Sequence, residues 1–198
     1  MCSSSDCGES AGCARLASKV HVATKYNAST GICYAFVAYD ANCSGAGSYM
    51  RSHLDIVDIT NETLPTIAKT WIGGGLCGSG TNNTFGSVVT VNQFTNGMGW
   101  FYYQQASGNA CSTTFTGWTN TALGLTTLTS TGTLGGPFPT MRFAAAMGLG
   151  DYVGIVQRGF PGGYLFPTWA QPVVTSASCV SCQAQQRSLA TYGTRIHP

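Results

Sequence analysis

Charge is what this sequence has least of. Asp, Glu, Lys and Arg make up 8% of its 198 residues, against about a quarter in an ordinary globular chain. The nine Lys and Arg residues are scattered, with no cluster that could neutralise a row of phosphates, so no nucleic-acid partner is expected. Long apolar runs are missing as well. No stretch of about 18 residues could cross a bilayer as a helix, and no charged-plus-apolar leader is visible. The three histidines, His21, His53 and His197, are isolated. Cys179 and Cys182 form the one CxxC, without a second pair at zinc-ligand distance, so neither a metal nor a cofactor is expected. Carboxylates stop early: after Glu62 the chain has Asp151 alone. No Ser-His-Asp arrangement, phosphate loop or nucleotide fingerprint is present, and the glycines of 73–80 have no following Lys and no helix.

What is present builds a core. Hydrophobic residues are 43% of the chain and aromatics 11%, at a net charge of +2, which separates it from a disordered chain. At this length folding buries roughly 70% of the unfolded surface, enough for one domain. Nine cysteines in so uncharged a chain point to an oxidising compartment, secreted or at a cell surface (extracellular or periplasmic), because disulfides survive there. Eight of them can make four bridges, whose connectivity spacing does not fix. The ninth is Cys2, or a cysteine left free or paired with another chain. N-x-S/T triplets stand at Asn27, Asn42, Asn61 and Asn82.

Helical periodicity is scarcely visible. Val20 to Lys25, Tyr34 to Asp40, Leu54 to Ile59 and Val88 to Phe94 are β-branched or aromatic and bounded by Gly, Asn, Ser or Thr, which reads as strands. Gly31, Gly97 and Gly163 stand at equal intervals of 66 residues, and three residues after each comes an aromatic: Tyr34, Trp100, Phe166. Each such strand follows another apolar one (Val20 to Lys25, Val88 to Gln93, Val153 to Gln157) across a polar turn, as in a hairpin. Ser52 to Ile59 with Thr66 to Ile72, and Thr113 to Asn120 with Leu125 to Thr133, supply two further strands per unit. Four strands every 66 residues describe a propeller blade, whose sheet buries both faces only when neighbours stack on it. The expected fold is therefore all-β: a disulfide-stapled, partial or oligomer-completed β-propeller of three four-stranded blade-like repeats. A Cys-rich segment, 1–16, precedes a single domain, 17–198, divided at about 17–84, 85–139 and 140–198.

Two resemblances follow. The start Cys2-Ser-Ser-Ser-Asp6 resembles the mature end of a bacterial lipoprotein, which implies a lipid anchor through Cys2. Met147-Gly-Leu-Gly-Asp-Tyr-Val-Gly-Ile155, with Tyr164-Leu-Phe-Pro-Thr-Trp169 after a glycine turn, resembles the Gly-Asp-Tyr-x-Gly-Ile/Leu signature near the end of secreted sialidase-like (BNR-type) propellers. Phe85 to Gln105 is similar to an earlier blade of the same family. Catalytic sialidases use an arginine triad, a tyrosine nucleophile supported by a glutamate, and an aspartate acid/base. That set cannot be placed here. Ser107 to Phe115 is at best a degenerate Asp-box without its aspartate, and Thr194-Arg-Ile-His-Pro198 stands at the wrong end for the arginine motif. A full sialidase propeller has six blades and this chain has room for three, which leaves a fragment, an open stack or a half-ring that a partner copy completes; exposed sheet edges or faces make a homo-oligomer the expectation.

Candidate ligand-binding residues are Asp151 and Tyr152, just before an inner strand, with Arg142 and Arg158 nearby as forks for an anionic sugar. Trp100 and Trp169 supply faces on which sugars stack, although aromatics at alternating strand positions are more often core. Asp55 and Asp58, three apart on one strand, fall on opposite faces and make no carboxylate pair. The resulting expectation is a non-catalytic extracellular sialidase-like module that binds glycan or a surface partner and self-assembles. The alternatives are a structural surface or filament subunit, and a sialidase-like glycoside hydrolase with Asp151 and Tyr152 as its catalytic pair.

Overall fold

The computed structural model describes residues 20–42, 50–75, 83–105, 113–138, 154–157, 164–172 and 189–196. Every regular element among them is a strand: β1 (His21–Asn27), β2 (Ile32–Asn42), β3 (Met50–Asp58), β4 (Thr66–Ile72), β5 (Asn83–Val91), β6 (Met98–Gln105), β7 (Thr113–Asn120), β8 (Thr129–Phe138), β9 (Gly154–Gln157), β10 (Leu165–Pro172) and β11 (Leu189–Gly193). They form three antiparallel meanders, β1-β2-β3-β4, β5-β6-β7-β8 and β9-β10-β11. No helix among the described residues is long and apolar enough to cross a membrane.

The strands expected from the sequence overlap the observed ones with shifted ends: β5 begins five residues before Val88 and stops at Val91, β3 begins two before Ser52, and β8 begins four residues later than Leu125. The expected boundary at 85 cuts into β5, which begins at Asn83. Most of the cysteines, and with them the expected disulfides and the 1–16 segment, lie outside the described residues. Among the described residues Cys33 is a free thiol.

Asparagine and aspartate set the turns. Asn27 Oδ1 accepts from Ser29 N–H, Asn92 Oδ1 from Phe94 N–H, and Asn120 Oδ1 from Ala122 and Gly124 N–H, so the side chain replaces a backbone acceptor at the start of each hairpin loop. Gly31 completes the first loop at φ 73°, a value that costs a side chain strain.

The core is made by stacking. Tyr34, Phe36, Ala38, Leu54 and Ile56 of the first sheet meet Val89, Val91, Met98, Trp100 and Tyr102 of the second. The other face of the second sheet, with Phe85, Phe101, Tyr103 and Phe115, meets Leu165 and Trp169 of the third. Alternation therefore serves β2, buried on one side, whereas β6 reads Met-Gly-Trp-Phe-Tyr-Tyr because both its faces are covered. Glycines make room between the layers. A Cβ at Gly99 would come within 2.6 Å of Leu165, and one at Gly117 would overlap the ring of its cross-strand partner Phe101.

The backbone fixes the sense of the stack. A residue's N–H and C=O point to one side of its strand and alternate with its neighbours', and L-chirality ties that side to the face its side chain takes. Cys33 C=O accepts from Ile59 N–H, so Tyr34 and Phe36 bond toward the preceding strand, β1. Gly97 C=O accepts from Asn92 N–H, so Phe101 and Tyr103 bond toward the preceding strand, β5, while Trp100 bonds toward β7. Leu165 exchanges two 2.9 Å bonds with Ile196, in register with β11, so Leu165 and Trp169 bond toward the following strand. Each sheet thus meets the next face to back, in one direction, rather than face to face as in a sandwich. The first strands β1, β5 and β9 follow one another in contact.

This corrects one reading of the repeat. Tyr34 points at the second sheet, Trp100 points back at the first, and Phe166 points away from the second, 43% exposed. The equal spacing counts residues, but the first hairpin pairs Asn27 with Ile32 and the second closes on Asn92 and Gly97. That puts β6 one residue out of step, and one residue inverts the face.

A polar seam locks the first two sheets. Asp40 is buried; it accepts from Ser52 Oγ at 2.8 Å and from Gly86 N–H at 2.7 Å, inside the irregularity between Phe85 and Val88. Ser52 N–H donates to Thr84 Oγ1 and Met50 N–H to Asn83 Oδ1. At the far end Lys25 Nζ donates to Gln93 C=O at 2.6 Å, and Gln93 Nε2 returns a bond to Thr24 C=O. Burial raises the Asp40 carboxyl from 3.8 to about 6, against the opposing effect of these donors.

Two outcomes are expected. Gly117→Ala forces Phe101 off its position and lowers stability by about 1–3 kcal/mol in chemical denaturation; an unchanged midpoint would contradict the layer contact. Because the folded-state pKa of Asp40 lies above the unfolded one, its favourable contribution is complete below about pH 4 and is lost as pH rises through about 6. The stability difference between wild type and Asp40→Asn should therefore shift by about 3 kcal/mol between acid and neutral pH, in favour of the variant at neutral pH. A pH-independent difference would show that the seam offsets the cost of burial.

Candidate functional site

Arg142, Asp151, Tyr152 and Arg158 lie outside the described residues. Trp100 and Trp169 are described, and both belong to the interior. Trp100 is 1% exposed, with its indole N–H on Ser87 Oγ at 2.7 Å. Trp169 is 3% exposed, stacks on Phe115 at 4.8 Å and lies over Gly135. Neither has a ring face for a sugar, because β6 and β10 turn these residues into the contacts between sheets. Asp55 and Asp58 point to opposite faces of the first sheet, as their spacing requires. Arg195, in the arginine-like motif at the C-terminal end, lies 4.2 Å from the Tyr164 ring centroid. His21 Nδ1 accepts weakly from Val89 N–H at 3.4 Å, and burial lowers its pKa.

The chemistry-bearing side chains that do converge are on the outward face of the first sheet. Tyr39 and His53 are cross-strand partners on β2 and β3, with rings stacked at 5.1 Å and 13°. Two residues on from His53, on the same face, Asp55 accepts at both oxygens, from Tyr39 Oη at 2.9 Å and from Thr70 Oγ1 at 2.5 Å. Burial, and then Asp55, pushes the Tyr39 phenol up to about 12. Burial lowers the His53 imidazole, with Asp55 opposing. At neutral pH Tyr39 is thus a protonated donor and His53 an uncharged ring. The group offers a stacked aromatic pair beside a hydrogen-bonded carboxyl.

The sequence reading weighed Asp55 against Asp58 and so overlooked His53, although two apart on a strand means one face. Tyr39 could be joined to them only through the β2–β3 register. Among the described residues no three His, Cys, Asp or Glu side chains converge to hold a metal ion.

His53 should titrate below 6.5 in a pH series followed by NMR, and Asp55→Asn should lower it further by removing the opposing charge. A value above 6.5 would mean that Asp55 outweighs burial. Comparison with family models, with curated proteins and with solved structures returns no match.

Proposed function

We propose that this chain is an extracellular, non-catalytic binding module of the sialidase-like propeller kind, which takes a glycan or another cell-surface ligand. The observation that supports it is the stacking of meanders face to back, with β1, β5 and β9 in series; this is the order a propeller repeats around its axis. Propeller ligands sit where loops gather at one end of that axis, and the candidates for such a site are Asp151, Tyr152, Arg142 and Arg158, whose guanidinium groups match an acidic sugar. The described aromatic interior is spent on packing, which leaves binding to the loops. Scarce charge and nine cysteines support an oxidising, extracellular or periplasmic setting, and Cys2 would supply a lipid tether.

A structural surface subunit is the second reading, favoured by exposed Val22, Tyr26, Ile67 and Phe166 on the outer sheets. An array of neutral and acidic glycans tests the first. Binding that falls at least tenfold in Arg142→Ala, Arg158→Ala and Asp151→Asn, with circular dichroism unchanged, is the expected result. No binding to any glycan or cell surface would remove the binding reading, and turnover of a sialoside that disappears in Asp151→Asn would replace it with the hydrolase.

A further inference from the structure

The two ends of the stack are not alike. The outward face of the first sheet is crossed by the rows Thr24-Ala35-Val57-Ile67 and Val22-Val37-Asp55-Thr70, with Tyr26 beside Cys33 at one end and Tyr39, His53 and Ile72 at the other. Val22 is 53% exposed and Ile67 65%. Asp55 is the one acid of these rows, and both its oxygens already accept hydroxyl donors from the same face. Covering it therefore leaves neither oxygen without a donor. Among the described residues no other sheet packs on this face. At the opposite end, the outward face of the third sheet carries Phe166.

The direction of the stack says what fits between these ends. The outward face of the first sheet is of the kind that the second and third sheets each turn toward their predecessor. The outward face of the third is of the kind that the first and second turn toward their successor. In backbone sense, the two ends of the described stack present the two halves of the face-to-back contact that the sheets make twice. We infer that a second copy of this chain covers the outward face of the first sheet with the outward face of its own third sheet. The contact is heterologous, so copies close a ring if the rotation per contact permits and otherwise continue as a filament. The inference deepens the propeller reading and rests on it for the stacking order alone; glycan binding by a lone copy would survive its failure.

The test uses the oxidised full chain, light scattering behind a sizing column, and three variants on exposed positions: Val22→Glu, Ile67→Glu and Phe166→Glu. Wild type is expected to assemble beyond the monomer. Each variant is expected to be monomeric with an unchanged circular dichroism spectrum and at least tenfold weaker self-association. Mixing Phe166→Glu with Val22→Glu restores one intact pair of faces and should give a one-to-one dimer; Ile67→Glu replaces Val22→Glu if that variant does not fold. A wild-type monomer at all concentrations overturns the inference, whether the face is bare or covered by the chain's own residues. So does a mixture that stays monomeric. Assembly that survives Phe166→Glu but not Val22→Glu also overturns it, because the contact would then join two copies of the first sheet.

Discussion

β5 and β6, at the centre of the second sheet's contacts, are buried on both faces, and most of the molecule follows from that. A strand with water on one side can spend every other residue on hydration; β6 cannot, and its run from Trp100 to Tyr103 sends alternate rings into two separate cores. Rings of this size on adjacent residues need empty space beside them, which Gly99 on the same strand and Gly117 on β7 provide. Their polar atoms need partners inside the core as well, and Ser87 Oγ receives the Trp100 N–H while Tyr102 Oη receives that of Trp118. The outer sheets carry a lighter requirement, which is why β1 can alternate toward solvent.

The two seams differ in chemistry. Between the second and third sheets the described contact is aromatic, with Phe101, Tyr103, Phe115 and Trp169 in a chain of stacked or tilted rings. Between the first and second it is aromatic in the middle and polar at the ends, where Asp40, Thr84 and Lys25 bond across to named atoms. Apolar contact tolerates sliding, whereas a carboxyl bonded to one backbone amide does not. The polar ends therefore fix the register of the first sheet on the second.

The sequence made the strands and their pairing into hairpins legible, since β-branched and aromatic runs between Asn- and Gly-bearing turns leave little choice. It also made the succession of antiparallel meanders legible. It did not show which way the aromatics face. Parity depends on where each hairpin closes, and one residue's difference between Ile32 and Gly97 sends Tyr34 and Trp100 in opposite directions along the stack. For the same reason Trp100 and Trp169 look available in a list of residues and are enclosed in space. Asp40 and the group of Tyr39, His53 and Asp55 were hidden for another reason. Each joins residues from different strands, and only register, or the packing of one sheet on another, brings them together.

A stack in which every layer meets the next in the same sense has no built-in length. A sandwich is finished when its second sheet is in place, because its two inner faces satisfy each other. Here each added meander hides one face and presents another of the same kind, so a tandem duplication of one unit within the gene could lengthen the protein without any new contact having to be invented. Total size in such an architecture is decided at the ends, by whatever stops the series, and the ends are where divergence between descendants of one ancestral unit would be tolerated first.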